Sequence, residues 1–133
     1  MFISNKIKYG MKALLYLTRL SENKVVSAAR LSKELEIPKE FISKIMQSLV
    51  YQGILKSKKG KGGGFYLALP PDEIKYEIVF RVLGYKEKNN ECLFDMSHLC
   101  ERKICPFCDN WKEFIENFNY AIKSYSITGK AKE

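Results

Sequence analysis

Little in this sequence would place the chain in or across a membrane. No apolar run approaches the roughly 20 residues that span a bilayer. The opening Met1-Phe2-Ile3-Ser4-Asn5-Lys6 has neither the basic start nor the apolar core of a secretory signal. A cytoplasmic chain with no membrane partner is the expectation. There is one histidine, and no nucleophile–base pair or pair of carboxylates stands in a recognisable catalytic setting, so an enzyme is not expected. Acidic residues are scarce in the first half. Residues 1–71 carry 13 Lys/Arg against 4 Asp/Glu, a net +9, whereas residues 72–133 carry 10 against 11, a net −1. The basic excess of the whole chain therefore belongs to its N-terminal half. That asymmetry suits a nucleic-acid or anionic-membrane surface, although a solvated basic face would show the same charge.

Cysteine is absent from the first 91 residues and then appears four times, at Cys92, Cys100, Cys105 and Cys108. His98 lies among them. No helix or strand period runs between Cys92 and Cys105, so the segment reads as a loop. A metal ion, an iron–sulfur cluster or disulfides could hold such a loop. In a cytoplasmic chain the thiols are reduced by default, which favours a thiolate-bound centre over disulfides. Only Cys105-x2-Cys108 is a short knuckle, which weakens zinc relative to a cluster.

The rest of the chain reads as helices interrupted by one basic hairpin. Ser4 can cap a first helix to about Leu20, with Ile3, Ile7, Met11, Leu14 and Leu17 on one face. A turn is expected around Asn23. Ser27 caps a short second helix, Ala28 to Leu35, with Ala28, Leu31 and Leu35 inward. After the turn Glu36-Ile37-Pro38, a third helix carries the stripe Phe41, Ile42, Ile45, Met46, Leu49 and Val50, and Gly53 ends it. Two helices joined in this way resemble a helix-turn-helix. Ile54–Lys58 and Phe65–Leu69 then read as paired strands, joined by Lys59-Gly60-Lys61-Gly62-Gly63-Gly64. The glycine run is not a phosphate loop: no Gly-Lys-Ser/Thr follows it and it enters a strand rather than a helix, so no nucleotide is expected.

Helix, turn, helix and basic hairpin is the order of a winged helix-turn-helix. The outer face of the third helix offers Lys39, Glu40, Ser43, Lys44 and Gln47 as base and backbone contacts. Ser27 and the wing residues Lys58, Lys59, Gly60 and Lys61 complete the candidate DNA-binding set. Asp72 to Leu83 reads as a further helix with Ile74, Ile78 and Val82 inward, and Lys86-Glu87-Lys88-Asn89-Asn90 as a polar linker. A last helix, from about Asp109 to Tyr125, carries Trp111, Phe114, Ile115, Phe118, Ala121, Ile122 and Tyr125. Packing on the chain's own first helix would cover part of that stripe, and a second copy of the chain would cover more. Trp111, Phe114, Ile115, Phe118 and Ile122 are the candidate dimer contacts. The tail from Thr128 is expected to be disordered.

These residues resemble the Rrf-type winged-helix regulators, the family of IscR and NsrR. The likeness covers nearly the whole chain. It runs through Tyr9-Gly10-Met11-Lys12-Ala13-Leu14-Leu15-Tyr16-Leu17 and Ile37-Pro38-Lys39-Glu40-Phe41-Ile42. Most specific is the wing, Gly53-Ile54-Leu55-Lys56-Ser57-Lys58-Lys59-Gly60-Lys61-Gly62-Gly63-Gly64-Phe65-Tyr66-Leu67. Cys92, Cys100 and Cys105, followed by Trp111, fit the family's sensor loop and dimer helix.

The resemblance implies a mainly α fold with a small β wing: a winged helix-turn-helix domain over 1–84 (wing about 54–69), a cysteine-rich sensor loop over 85–108, and a dimerisation helix and tail over 109–133. It implies a homodimeric bacterial or archaeal transcription regulator, of repressor type, on an inverted-repeat double-stranded DNA operator. In cluster-binding members three loop cysteines hold an iron–sulfur cluster, [2Fe-2S] or [4Fe-4S], whose state alters DNA binding; other members lack it. Where IscR-like members place a histidine ligand after the third cysteine, this chain has Cys108. The expected ligand set is thus Cys92, Cys100, Cys105 and Cys108, with His98 as the alternative fourth ligand. Cluster-sensing relatives often carry a glutamate where this chain has Ser43, so operator preference does not transfer. A zinc or thiol-redox regulator without a cluster is the alternative, and a ferredoxin-type electron carrier a more distant one, since it would leave the basic wing without a role.

Overall fold

The computed structural model describes residues 3–20, 24–87, 94 and 106–129. The turn around Asn23, most of the cysteine loop and the last four residues lie outside the described residues.

Helix α1 spans Asn5–Thr18. The Ser4 hydroxyl accepts from the Ile7 N–H at 3.2 Å, satisfying one of the donors that every helix start leaves open. Helix α2, Ala28–Leu35, starts in the same way: the Ser27 hydroxyl accepts from the Arg30 N–H at 3.1 Å. It ends at Glu36, which takes the left-handed conformation with φ 56°. Leu31 is fully buried, while Ala28 and Leu35 are only half-buried.

Helix α3, Lys39–Tyr51, follows directly, with Pro38 as its N-cap. The Pro38 carbonyl accepts from the N–H groups of both Phe41 and Ile42. Ile42, Ile45, Met46 and Leu49 are buried, as their spacing predicts. Phe41 is not: it is 53% exposed, with its ring 6.4 Å from that of Tyr9. Helical phase explains the difference, because Phe41 sits at the edge of the buried stripe and its side chain leans out past α1.

Gly53, with φ 82°, turns the chain out of α3. Strand β1, Leu55–Lys58, then pairs antiparallel with β2, Gly64–Leu67. Leu55 faces Leu67 and Lys58 faces Gly64. Val26, just before α2, bonds to Phe65 in both directions, at 2.9 and 2.8 Å. A Cβ on Gly64 would collide with the Val26 carbonyl, so only glycine permits this approach.

After β2 the sequence predicts one helix from Asp72 to Leu83. The structure instead has a short 3-10 turn, Pro71–Glu73, and a separate helix α4, Tyr76–Val82. Ile74 between them is extended, with ψ 105°. The reason lies far along the chain. The Ile74 carbonyl accepts from the Ile127 N–H at 2.8 Å, and the Tyr76 N–H donates to the Tyr125 carbonyl. Backbone held in this long-range pairing cannot also be helical. The inward face shifts accordingly: Val79, Phe80 and Leu83 are buried, Ile78 is 37% exposed and Val82 half-buried.

Helix α5, Phe107–Ser124, begins two residues before Asp109 and packs chiefly on α4 rather than on α1. The tail expected to be disordered from Thr128 lies mostly outside the described residues, but Thr128 itself is bonded to the body. Ser126 bridges to Lys75, and the Thr128 hydroxyl donates to Asp72 at 3.0 Å.

A single core joins α1, α2, α3, the strands, α4 and, through Ile122 and Ile127, the end of α5 and the segment after it. Gly10 of α1 lies against Leu83, the C-cap of α4: a Cβ there would overlap the Leu83 side chain, itself only 1% exposed. Gly10→Ala should therefore destabilise the fold by about 1–3 kcal/mol through overpacking, less the roughly 1 kcal/mol that alanine gains over glycine in a helix. In a Leu83→Ala background the main overlap is gone, only the Ile45 side chain remaining close at 3.3 Å, and the same substitution should become neutral or stabilising. Urea unfolding of the four proteins checks this change of sign.

Candidate nucleic-acid interface

The third helix presents two chemically opposed faces. Ile42, Ile45, Met46 and Leu49 bury one side. Lys39, Glu40, Lys44 and Gln47 are exposed on the other, and Ser43 is half-buried beside them. The structure thus brings all five sequence-predicted residues onto the accessible part of α3. Ser27 is placed differently. Its hydroxyl is engaged as the cap of α2, and its side chain is half-buried.

The wing carries its charge outward. In β1 only Leu55 is buried, and Lys56, Ser57 and Lys58 are exposed. Lys59, Gly60 and Lys61 form the exposed tip. Gly60 and Gly62 have φ values of 88° and 77°, and the Gly63 N–H returns to the Gly60 carbonyl at 3.0 Å. Such a turn suits glycine, which has no Cβ to oppose positive φ. None of the wing lysines or of Lys39 and Lys44 forms an ion pair among the described residues. Their charge is therefore available to an external anion.

Two links fix the wing relative to α3. The chain between them is short, with the Ile54 N–H bonded back to the Leu49 carbonyl at 3.0 Å. On the other side Val26 holds β2 through Phe65 and leads straight into the Ser27 cap of α2. These bonds tie the wing to the helix-turn-helix.

One residue of this surface escaped the sequence reading. Tyr51, the last residue of α3, is 87% exposed. It follows Glu40, Lys44 and Gln47 at steps of four, three and four, and that spacing could have shown that it shares their face.

The expected dimer stripe on α5 divides in two. Ile115 and Ile122 are buried within the chain, whereas Phe114 is 49% exposed and Trp111 and Phe118 are half-buried. Trp111 stacks on Phe114 with ring centres 5.5 Å apart, and Phe114 on Phe118 at 6.1 Å. Phe118 also meets Phe80 and Tyr85 of its own chain. An apolar cleft of about 390 Å3 continues this face between Tyr76, Phe80, Phe118 and Tyr125.

Of the predicted cluster ligands, Cys108 sits in the first turn of α5, half-buried and not in a disulfide. Cys92, Cys100, Cys105 and the alternative ligand His98 lie outside the described residues. Among the described residues no group of three or more His, Cys, Asp or Glu side chains could hold a metal ion, and no helix is long and apolar enough to cross a membrane.

Comparison with known proteins agrees with this architecture. Residues 3–129 match the Rrf2 family, described as iron-dependent transcriptional regulators. A protein of Aquifex aeolicus named as a helix-turn-helix-type transcriptional regulator is 34% identical over 130 residues, covering 96% of this chain and 89% of its own. Among solved structures, the global cysteine regulator CymR of B. subtilis superposes with a TM-score of 0.73 at 21% identity, over 95% of this chain and 92% of its own. IscR of T. potens superposes with a TM-score of 0.68 at 21% identity, over 95% and 82%. With the fold, the wing and a family match over nearly its whole length in agreement, the chain belongs to the Rrf2 family of winged helix-turn-helix transcriptional regulators and is not an enzyme.

Proposed function

We propose that this regulator acts in the cytoplasm as a homodimeric repressor on an inverted-repeat DNA operator, and that an iron–sulfur cluster in its cysteine loop controls operator binding. The observation that carries the DNA reading is the unpaired lysine charge of the wing beside the polar face of α3. Lysines on phosphates supply affinity and set the register. Glu40, Ser43, Lys44 and Gln47 then reach base edges from the helix. In this reading residues 1–84 bind DNA, 85–108 form the sensor loop and 109–133 the dimerisation helix and tail. Ser27 contributes by holding α2 at its start.

Support for the cluster comes from the chemistry of the donor set. Four thiols fall within residues 92–108, and soft thiolate ligands select iron–sulfur clusters, zinc or copper(I). Cys108 fits the role, as a free, partly accessible thiol at the start of a helix fixed to α4. The family's description as iron-dependent favours iron over zinc. When bound, the cluster would supply a centre whose charge and integrity respond to redox state, [2Fe-2S] or [4Fe-4S]. Cys92, Cys100 and Cys105 would ligate it with Cys108, and His98 is the competitor for the fourth place. After reconstitution without oxygen, Cys108→Ala should lose the cluster or shift its absorbance and potential, while His98→Ala keeps both. The reverse pattern would make His98 the ligand. A colourless wild type carrying zinc would replace the cluster with a structural metal.

The dimer reading rests on the accessible part of the α5 stripe, at Phe114. Phe114 is its most exposed member among the candidate contacts, and it touches Trp111 and Phe118 on the same helix. Phe114→Asp places a charge there without removing a buried side chain. It should sediment as a monomer with its unfolding midpoint little changed. A full dimer would show that another surface joins the two copies.

A further inference from the structure

The end of α3 carries a feature that the reading of its first turns leaves without a use. Tyr51 is an aromatic side chain 87% exposed on the last turn of a helix. Its backbone is well fixed. The Gln52 N–H returns to the Ser48 carbonyl at 3.2 Å, and the Gly53 N–H to the Val50 carbonyl at 3.0 Å. Directly behind it Ile54 and Leu55 are buried, which anchors the turn. The backbone beneath the exposed Tyr51 side chain is thus fixed. It borders an open cleft with Gln47 and Gln52.

Its position along the helix decides what it can reach. Glu40 and Tyr51 are 11 residues apart, which at 1.5 Å per residue separates them by about 16 Å along the axis. The major groove is about 12 Å wide. A recognition helix contacts base edges from its N-terminal turns. Its last turn then lies beyond the bases, over the sugar–phosphate rim. A phenol suits that place, because its hydroxyl can donate to a phosphate oxygen and its ring can rest against deoxyribose.

We propose that Tyr51 is a DNA-backbone contact at the far rim of the groove, a neutral clamp that complements the charged contacts of the wing. The proposal rests on α3 being the recognition helix. A neutral donor has a distinct signature. A lysine on a phosphate releases counterions, so its loss flattens the dependence of log affinity on log salt by about 0.9. A hydroxyl releases none. Its loss should weaken binding equally at every salt concentration. Because backbone contacts carry no sequence information, selected and scrambled duplexes should be affected alike.

The experiment uses fluorescence anisotropy with a duplex selected by the wild-type protein from a randomised pool, and a scrambled duplex of the same length. Tyr51→Phe should weaken binding to both about three- to tenfold, the worth of one hydrogen bond, with the salt slope unchanged. Tyr51→Ala should weaken it further. Neither change should move the unfolding midpoint, since the side chain is exposed. Lys44→Ala and Gln47→Ala serve as references for the helix. If they weaken binding while both Tyr51 variants bind as the wild type does, Tyr51 does not touch DNA. If Tyr51→Phe weakens only the selected duplex, the contact is to a base and the backbone assignment is overturned. If none of the four variants changes affinity, α3 itself is not the recognition helix and the reading beneath the proposal fails with it.

Discussion

Burial of one stripe of α3 is the interaction on which the rest depends. Ile42, Met46 and Leu49 are wholly removed from water, and Ile45 nearly so. Each such side chain is worth about 1.5–3 kcal/mol on burial, and whole domains of this size are stable by only about 5–15 kcal/mol. The helix cannot rotate about its axis without losing a large share of the fold's stability. With that rotation fixed, the polar residues between the buried ones have one direction left, outward. The surface of α3 is therefore a consequence of its core. The wing inherits the same reference frame through the Gly53 turn and the pairing of Val26 with Phe65.

A second constraint ties the C-terminal helix to this body. After α5 the chain runs beside Ile74 and Lys75, the residues that separate the 3-10 turn from α4. Those residues come seven and eight positions after β2 ends. The helix that starts at the cysteine loop thus finishes at the segment leading out of the wing. Backbone bonds from Ile127 to Ile74 and from Tyr76 to Tyr125 make this connection, and the Thr128–Asp72 bond closes it.

Legibility in the sequence followed the range of the interactions. The caps at Ser4 and Ser27 are bonds across three residues, and both were readable from residue type and spacing. So was the wing, because glycines at positive φ between lysine-bearing strands leave a local signature. The break at Ile74 was not readable. Ile74, Ile78 and Val82 repeat at helical spacing, and the extended backbone there is imposed by a partner about 50 residues away. Phe41 misled for a related reason: it lies one turn before Ile45, yet α1 covers only the neighbouring edge of the helix. On α5 the aromatic stripe was visible, but its division between a face for α4 and a face left over depends on where α4 sits. For the cysteines, spacing indicated a shared centre, and of the four only Cys108 falls among the described residues.

DNA binding here depends on a winged helix-turn-helix that presents unpaired lysines to DNA phosphates. The salt dependence of operator affinity, compared between the wild type and a Lys59→Ala, Lys61→Ala variant, tests it most directly. Both lysines are exposed at the wing tip, so their loss leaves the fold intact. The variant should bind more weakly, with a slope of log affinity against log salt smaller by up to about 1.8, or about 0.9 for each phosphate no longer neutralised. Equal affinity and equal slope at every salt concentration would contradict it, and would remove the wing from the DNA interface.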